Sequence, residues 1–366
     1  MSAPRVVILS SARTPIGKYG GSFRDVHPAE LGAVASRAAI ARAGLAPGDI
    51  QEVWMGHGRQ AGSGPNPGRQ IAYRSGVPVE APAQTINKAC ASGLQAIASG
   101  AQSILLGESE VVLAGGVESM SRMPYLVDSI DARWGHRMGN FQFVDAMYRD
   151  GFQCPLSNLI MGETAEILAR QYGITREDSD AYALGSQQKA EAAQAAGRFA
   201  DEIAPVTVTV KGAPVEVTTD EHPRPGSTIE GLRRLPPTFP VVEGEPGIIT
   251  AGSASGITDG GAALVLASSP LPPHTASRRW PPSRAGRAPG LTRASWASAP
   301  CPPRASSPRG RASRSTRSIS SSSTRPLPSR CWPCCARCPS TPRGSTSMAA
   351  PSRSATPSAP RARESS

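Results

Sequence analysis

Apolar and polar positions alternate in two patterns along the first 118 residues. Short apolar runs of strand length, such as residues 6–9 and 50–55, are separated by segments whose apolar residues recur at helical spacing, such as residues 28–43. Strands and helices that alternate with short connections are typical of an α/β fold with a mostly parallel sheet and helices on both faces. Ligands of such sheets bind beyond the carboxyl ends of the strands.

The stretch over residues 86–124 carries the strongest candidate chemistry. A third strand over residues 83–88 leads into Cys90, and a helix over residues 91–106 follows. That helix is almost entirely small or apolar, so we expect it to be buried on every side. A thiol at such a turn points at the helix N-terminus, where unpaired amides and the helix dipole favour the thiolate and can hold an oxyanion.

A lone cysteine is more often a small buried hydrophobe than a reactive group. The Ala-Ser-Gly sequence after Cys90 argues against that interpretation, because small residues leave the sulfur open to a substrate. Cys90 is therefore predicted to be a nucleophile. The glycine-rich stretch over residues 56–70 lacks the spacing of a dinucleotide-binding loop, and we interpret it as a plain loop before a helix over residues 69–75.

The sequence NKACASG around Cys90, followed by LAGGVESMSRMPY, closely resembles the nucleophile segment of thiolases, the acyl-CoA C-acyltransferases. Residues 247–267, GIITAGSASGITDGGAALVLA, resemble the thiolase loop that packs along the pantetheine arm of coenzyme A, followed by a fifth strand. The resemblance covers about residues 4–268. It implies a thiolase-like N-terminal α/β domain formed by residues 1–118 and 247–268, and an inserted loop domain over residues 119–246 that binds coenzyme A.

The resemblance also implies an activity and a set of site residues. Acyl-CoA and acetyl-CoA would be substrates of a thiolysis or a Claisen condensation that proceeds through an acyl-Cys90 intermediate, with no bound cofactor and no metal. Family members are usually homodimers or homotetramers. The positions that match coenzyme A-binding residues of the family are Ala251 and Ser255 along the pantetheine, Arg224 near the adenine–phosphate end and Met161 beside the acyl pocket.

Several features leave alternatives open. Ile160 stands where several acetyl-specific thiolases carry a histidine, so the length of the acyl chain and the direction of the reaction stay undecided. The methionines and aromatic residues between 119 and 160 could line a substrate tunnel or could pack a loop domain. A ketosynthase-like condensing enzyme shares the fold and a nucleophilic cysteine. A non-catalytic coenzyme A-binding or nucleic-acid-binding protein is the alternative from another class.

Composition divides the chain into two parts. The whole chain has a net charge of +11, but residues 269–366 contain 17 arginines, no lysine and a single acidic residue, which leaves residues 1–268 mildly acidic. Five of the seven cysteines also lie in this tail. The front part is thus typical of a protein from a reducing compartment.

We see no signal peptide and no run near the ~20 apolar residues of a membrane span, and we expect a cytoplasmic location.

The tail, residues 269–366, loses all periodicity and is rich in proline, serine and arginine, which predicts disorder. At face value its Arg/Ser run resembles a nucleic-acid-binding arm, and CWPCCARC over residues 331–338 has zinc-like spacing. Read one base out of frame, however, residues 317–336 can give LDLVELNEAFAVAVLAVLR and residues 344–362 can give VNVHGGAIALGHPLGASG, which resemble C-terminal thiolase motifs. A frameshift near residues 266–273 is the simplest explanation, and only nonspecific nucleic-acid binding is expected of the tail.

The frameshift has two expected consequences. The thiolase family uses a Gly-His-Pro histidine, an Asn-Glu-Ala-Phe asparagine and a second cysteine in a Cys-x-Gly-Gly motif, and none of these is in frame here. We therefore expect this chain to be catalytically inactive or nearly so. The thiolase fold also pairs two similar α/β halves, so a chain with only the first half should expose a large apolar surface.

Overall fold

Most of the described chain is built from twelve strands and seven helices. The computed structural model of the protein describes residues 5–239, 241–242 and 244–269. The strands in the described part of the chain are β1 Arg5–Arg13, β2 Gly17–Lys18, β3 Glu52–Gly56, β4 Ala83–Ile86, β5 Val111–Ser119, β6 Tyr125–Leu126, β7 Val144–Asp145, β8 Val206–Val210, β9 Ala213–Val217, β10 Val241–Val242, β11 Glu245–Pro246 and β12 Thr258–Ser269. The α-helices there are α1 Pro28–Arg42, α2 Pro67–Arg74, α3 Ser92–Leu106, α4 Ser129–Trp134, α5 Met161–Tyr172, α6 Arg176–Ala195 and α7 Ile229–Arg233.

Six of these strands form one mixed sheet in the order β1, β12, β5, β3, β4, with β2 pairing beside β12. The strands β3, β4 and β5 are parallel, as predicted. The last strand, β12, lies between β1 and β5 and runs antiparallel to both. The strands β1, β3, β4 and β5 therefore run in one direction, as expected of a mostly parallel sheet. The long strand β12 is the exception, because an apolar run does not reveal the direction in which its strand will pair.

One face of the sheet is covered by α1 and α2. Alternate residues of the strands, among them Val111, Leu113 and Val265, point to this face and join fully buried residues of the helices such as Leu31 and Ile71 in one large apolar cluster. The helix α2 begins at Pro67, two residues before the predicted start. Asn66 moves the start forward, because its Oδ1 accepts the backbone N–H of Arg69.

The other face is covered by α3. Val112, Ala114 and Leu266 of the sheet form a much smaller cluster with residues such as Ile104 on the inner side of this helix. The outer side of α3 is exposed: Leu94 is 60%, Leu105 is 52% and Leu106 is 75% exposed. Our prediction that this helix is buried on every side is therefore wrong, because no described residue packs over its outer surface.

The same stretch has the composition of a membrane helix. Within the described residues, Ala89–Leu106 is the one helical segment long and apolar enough to cross a membrane by length and composition alone, at 18 residues. It is slightly shorter than the ~20 residues of a typical span. Core helices of soluble proteins pass the same test, so this observation is weak evidence for a membrane location.

The segment between β5 and β12 contains the smaller elements. It includes the helices α5 and α6, and β8 pairs with β9 as an antiparallel hairpin. The division of the chain into domains at residues 118 and 247 stays a prediction. The predicted tail lies outside the described residues except for Ser269. The same is true of the Arg/Ser run and the cysteine cluster, and the frameshift stays a prediction.

Candidate active site

Cys90 lies in the turn between the carboxyl end of β4 and the start of α3 and is exposed. The turn has a specific hydrogen-bond network: Asn87 Oδ1 accepts the N–H of Ala89 at 3.0 Å, and Ser92 Oγ donates to the Ala89 carbonyl at 2.6 Å. The hydroxyl of Ser92 also accepts the N–H of Lys88 at 2.8 Å. Ala89 has a φ of +47°, a left-handed conformation that costs a non-glycine residue about 1–3 kcal/mol. The network around Ala89 sustains this strain and places Cys90.

Glycines bring the N-terminus of α3 against the ends of two strands. A Cβ atom on Gly56 of β3 would lie 2.3 Å from the carbonyl carbon of Ser92, and one on Gly116 of β5 would lie 3.2 Å from Cα of Gly93. The residue before the helix, Ala91, has no side chain that could cap it. The start of α3 is therefore held close against β3 and β5, directly after the turn that carries Cys90.

A cavity of about 1090 Å³ opens beside Cys90. Of the predicted site residues, Met161 at the start of α5 and Ser255 in the loop before β12 line this cavity together with Cys90. Ala251 and Arg224 do not line it. Arg224 is exposed, and its backbone N–H donates to Gln187 Oε1 at 2.9 Å.

The loop that carries Ser255 is held by a buried carboxylate. Glu166 on α5 is 1% exposed and accepts the backbone N–H groups of Ile248 and Ile249 at 2.9 and 2.8 Å. These hydrogen bonds tie the loop before β12 to α5. Sequence analysis did not select Glu166, since a glutamate inside a helix usually faces solvent.

A second carboxylate lies in the cavity wall. Glu118, near the end of β5, accepts the N–H of Gly58 at 3.0 Å and of Arg59 at 3.2 Å. Its Oε1 also lies 3.0 Å from Nε2 of His57, which is 1% exposed, although this contact lacks the alignment of a hydrogen bond. The stretch that we interpreted as a plain loop therefore forms part of the site. The only signal in the sequence was the His-Gly-Arg triplet directly after β3.

The loop after β3 is also hydrogen-bonded to the turn that carries Cys90. Asn87 Nδ2 donates to the carbonyl of Gly58 at 3.0 Å, and the N–H of His57 donates to the carbonyl of Ile86 at 2.9 Å. Glu118, the loop after β3 and the turn that carries Cys90 are thus one hydrogen-bonded unit.

The second cysteine of the front part, Cys154, is partly exposed and does not line the cavity. The hydroxyl of Ser157 and the backbone amides of Ser157 and Leu156 hydrogen-bond to its sulfur and lower the pKa of the Cys154 thiol. Cys154 is therefore a second thiol that any test of Cys90 must control. Within the described ranges, no three His, Cys, Asp or Glu side chains are grouped as a metal would require.

An exposed cysteine at a helix N-terminus, open to a large cavity in an α/β protein, is an arrangement that suits covalent catalysis through a thiol. The sequence model described as "Thiolase, N-terminal domain" matches residues 6–270. The chain belongs to the thiolase family, which confirms both the resemblance and the expected thiolase-like fold.

Individual relatives agree with this assignment. The chain is 47% identical over 264 residues to an acetyl-CoA acetyltransferase of Cupriavidus necator and 46% identical over 265 residues to a probable acetyl-CoA acyltransferase of Staphylococcus aureus. Each alignment covers 72% of this chain and 66% of the relative, so the chain spans about two-thirds of the length of these relatives. The crystal structure of the Bacillus anthracis acetyl-CoA acetyltransferase superposes with a TM-score of 0.70 at 40% identity, over 75% of this chain and 68% of that one.

Proposed function

We propose that this chain is the Cys90-bearing part of a thiolase-type acyl-CoA acyltransferase that acts on acetyl-CoA and related acyl-CoA thioesters. The observation that carries the proposal is the position of Cys90, exposed in a strained turn at the uncapped N-terminus of α3 and open to the cavity. The relatives whose names describe acetyl-CoA acetyltransferases support it.

The proposed first step is acylation of Cys90. The Cys90 thiolate attacks the carbonyl carbon of the acyl-CoA thioester, and the negative charge moves to the carbonyl oxygen, where backbone N–H groups at the start of α3 can stabilise it. The intermediate collapses, the carbon–sulfur bond to coenzyme A breaks, and coenzyme A leaves as its thiolate. An acyl-Cys90 thioester remains, and a second acyl-CoA or free coenzyme A would then accept the acyl group.

Coenzyme A is proposed to lie along the loop before β12, with Ser255 and Ala251 beside the pantetheine arm. Met161 would contact the acyl group and Arg224 the adenine–phosphate end. The hydrogen bonds from Ile248 and Ile249 to Glu166 support this placement, because they hold the loop against the cavity before any ligand binds.

We further propose that this chain alone does not complete the catalytic cycle. The Gly-His-Pro, Asn-Glu-Ala-Phe and Cys-x-Gly-Gly motifs expected from the family do not occur in its sequence. Removal of a general acid or base commonly lowers a rate by about 10²–10⁴-fold, and three groups would be missing here. A cytoplasmic location and assembly as a homodimer or homotetramer are proposed on family grounds alone.

The test separates acylation from turnover. The chain is incubated with acetyl-CoA, and the acetylated cysteines are located by peptide mass mapping. We expect acetyl-Cys90 in the unmodified chain and in the matched control Cys154→Ser, and none at position 90 in Cys90→Ser. Acetoacetyl-CoA thiolysis should be at least about 10³-fold slower than in a full-length relative.

Acetylation of Cys154 with none on Cys90 would overturn the proposed nucleophile. Thiolysis at the rate of a full-length relative would overturn the proposed incompleteness but not the nucleophile. The nucleic-acid-binding alternative depends on residues 269–366, of which the structure describes only Ser269, and no described feature favours it.

A further inference from the structure

Two arginines line the cavity beside Cys90, and their environments differ. Arg13, at the end of β1, is neutralised twice. Its Nη1 and Nη2 bind the two carboxylate oxygens of Asp220 at 2.7 and 3.0 Å, and its Nε binds Glu202 at 2.7 Å. A guanidinium in this state has a structural role and little capacity left for a ligand.

Arg59, in the loop after β3, has no such partner. Its Nη2 donates to the carbonyl of Gly151 at 2.6 Å, and its Nε is buried without a hydrogen-bond partner. Within the described part of the chain, no carboxylate forms an ion pair with its side chain. A partly buried guanidinium without a counter-charge is costly, so its presence in a substrate cavity indicates that the ligand supplies the missing anion.

Neither acidic residue of the cavity wall forms an ion pair with the guanidinium of Arg59 in the described part of the chain. The carboxylate of Glu118 accepts the backbone N–H groups of Gly58 and Arg59 and lies against His57. Asp259 is fully buried and accepts both the N–H and the hydroxyl of Ser121. Both carboxylates are thus stabilised by donors other than a guanidinium.

The backbone just before Arg59 contacts the turn that carries Cys90. Arg59 follows Gly58, whose carbonyl accepts from Asn87 in this turn, and a Cβ atom on Gly58 would lie 3.3 Å from the carbonyl oxygen of Ala89. The side chains of Tyr148, Phe152 and Met161 line the same cavity. They provide apolar surface that suits the methylene groups of an acyl chain.

We propose that Arg59 binds a carboxylate at the far end of the acyl group, so that the substrates include monothioesters of dicarboxylic acids with coenzyme A. This inference rests on the proposed function. A guanidinium can offer a carboxylate parallel N–H donors in a bidentate pair. A site built around such a donor discriminates strongly against a ligand that leaves it unpaired.

The test compares two acyl-CoA thioesters of equal chain length, succinyl-CoA and butyryl-CoA, which differ by a carboxylate in place of a methyl group. Their dissociation constants and that of free coenzyme A are measured by calorimetry in the full chain carrying Cys90→Ser, so that no acyl transfer occurs. We expect succinyl-CoA to bind at least tenfold more tightly than butyryl-CoA, and Arg59→Gln to reduce that ratio to about one. Glutamine is uncharged and shorter than arginine, so this variant removes the charge together with the contact of Nη2 to the carbonyl of Gly151.

Arg149→Gln is the matched control, because Arg149 is exposed and already pairs with Asp150; it should keep the tenfold ratio. Arg59→Lys retains the charge and should keep a preference for succinyl-CoA if Arg59→Gln fails to fold. A ratio of one or less before substitution, or a ratio that survives Arg59→Gln, overturns the inference. Equal weakening of all three ligands by Arg59→Gln also overturns it and places Arg59 on a phosphate of coenzyme A. If none of the three binds, the proposed function fails as well.

Discussion

The two faces of the central sheet differ in how completely they are covered. The face under α1 and α2 is packed by a large cluster that includes fully buried Leu31 and Ile71. The opposite face is covered by α3 alone, whose inner side joins a small cluster and whose outer side exposes Leu94 and Leu105. An apolar helix can therefore follow the turn that carries Cys90 without being buried on both sides. In the described chain, one face of the sheet is fully covered and the other is covered only by a partly exposed helix.

The partly covered face is also the face of the site. The helix that exposes its leucines is the helix that follows the turn with Cys90, so the apolar surface and Cys90 are carried by adjoining parts of the chain. An exposed apolar patch of this kind marks an interface or an aggregation liability. This agrees with the chain spanning about two-thirds of the length of its relatives.

The largest effect is expected on the fully covered face. Leu31→Ala removes a fully buried side chain and should lower the free energy of unfolding by about 3 kcal/mol, because lost transfer energy adds to the cost of a cavity. Urea denaturation of the purified chain measures this difference. A loss below about 1 kcal/mol would mean that this face is also loosely packed, and the contrast between the faces would disappear.

A smaller effect is expected on the inner side of α3. A Cβ atom on Gly100 would lie 2.9 Å from Cγ1 of Val112 and 3.3 Å from Cδ1 of Leu266. Although alanine is a better helix former by about 1 kcal/mol, Gly100→Ala should destabilise the protein by about 1 kcal/mol because the stiff valine side chain cannot move aside.

Gly185→Ala in α6 is the control for this substitution, since an added Cβ meets no atom within 4 Å there. It should stabilise the chain by up to about 1 kcal/mol. If both alanine variants were stabilising, α3 would not be packed tightly on β5, and the sheet would be open on this face down to its strands.

The smallest effect on stability is expected on the outer side of α3. The double variant Leu94→Gln and Leu105→Gln should change the free energy of unfolding by less than about 0.5 kcal/mol, since both side chains are more than half exposed and glutamine has a similar helix propensity. Self-association, measured by sedimentation velocity, should decrease. A loss above about 2 kcal/mol would show that this surface is covered in the folded protein.

Local features of the site could be predicted from the sequence. The strand, the turn at Cys90 and the following helix were each visible, because each is encoded by neighbouring residues: an apolar run, small residues at the turn and a long helix-forming segment. The cap of α6 belongs to the same group, since Thr175 Oγ1 accepts the N–H of Asp178 only three residues away.

Contacts between distant segments could not be predicted. Glu118 meets Gly58 and Arg59 across two neighbouring strands, and Glu166 meets Ile248 more than eighty positions along the chain. Their residue types are ordinary for surface positions, so nothing in the local pattern distinguished them. The antiparallel direction of β12 could not be predicted for the same reason, because it depends on which strands β12 pairs with.

By itself, the sequence determined the family and the order of strands and helices, and it predicted Cys90 as the nucleophile, because these follow from motifs and periodicities that are contiguous along the chain. Only the tertiary structure decided that Arg13 is neutralised while Arg59 is left without a carboxylate, and that one side of α3 stays open. Those outcomes depend on which residues meet across the fold, and a buried charge or an exposed leucine is defined by its neighbours in space.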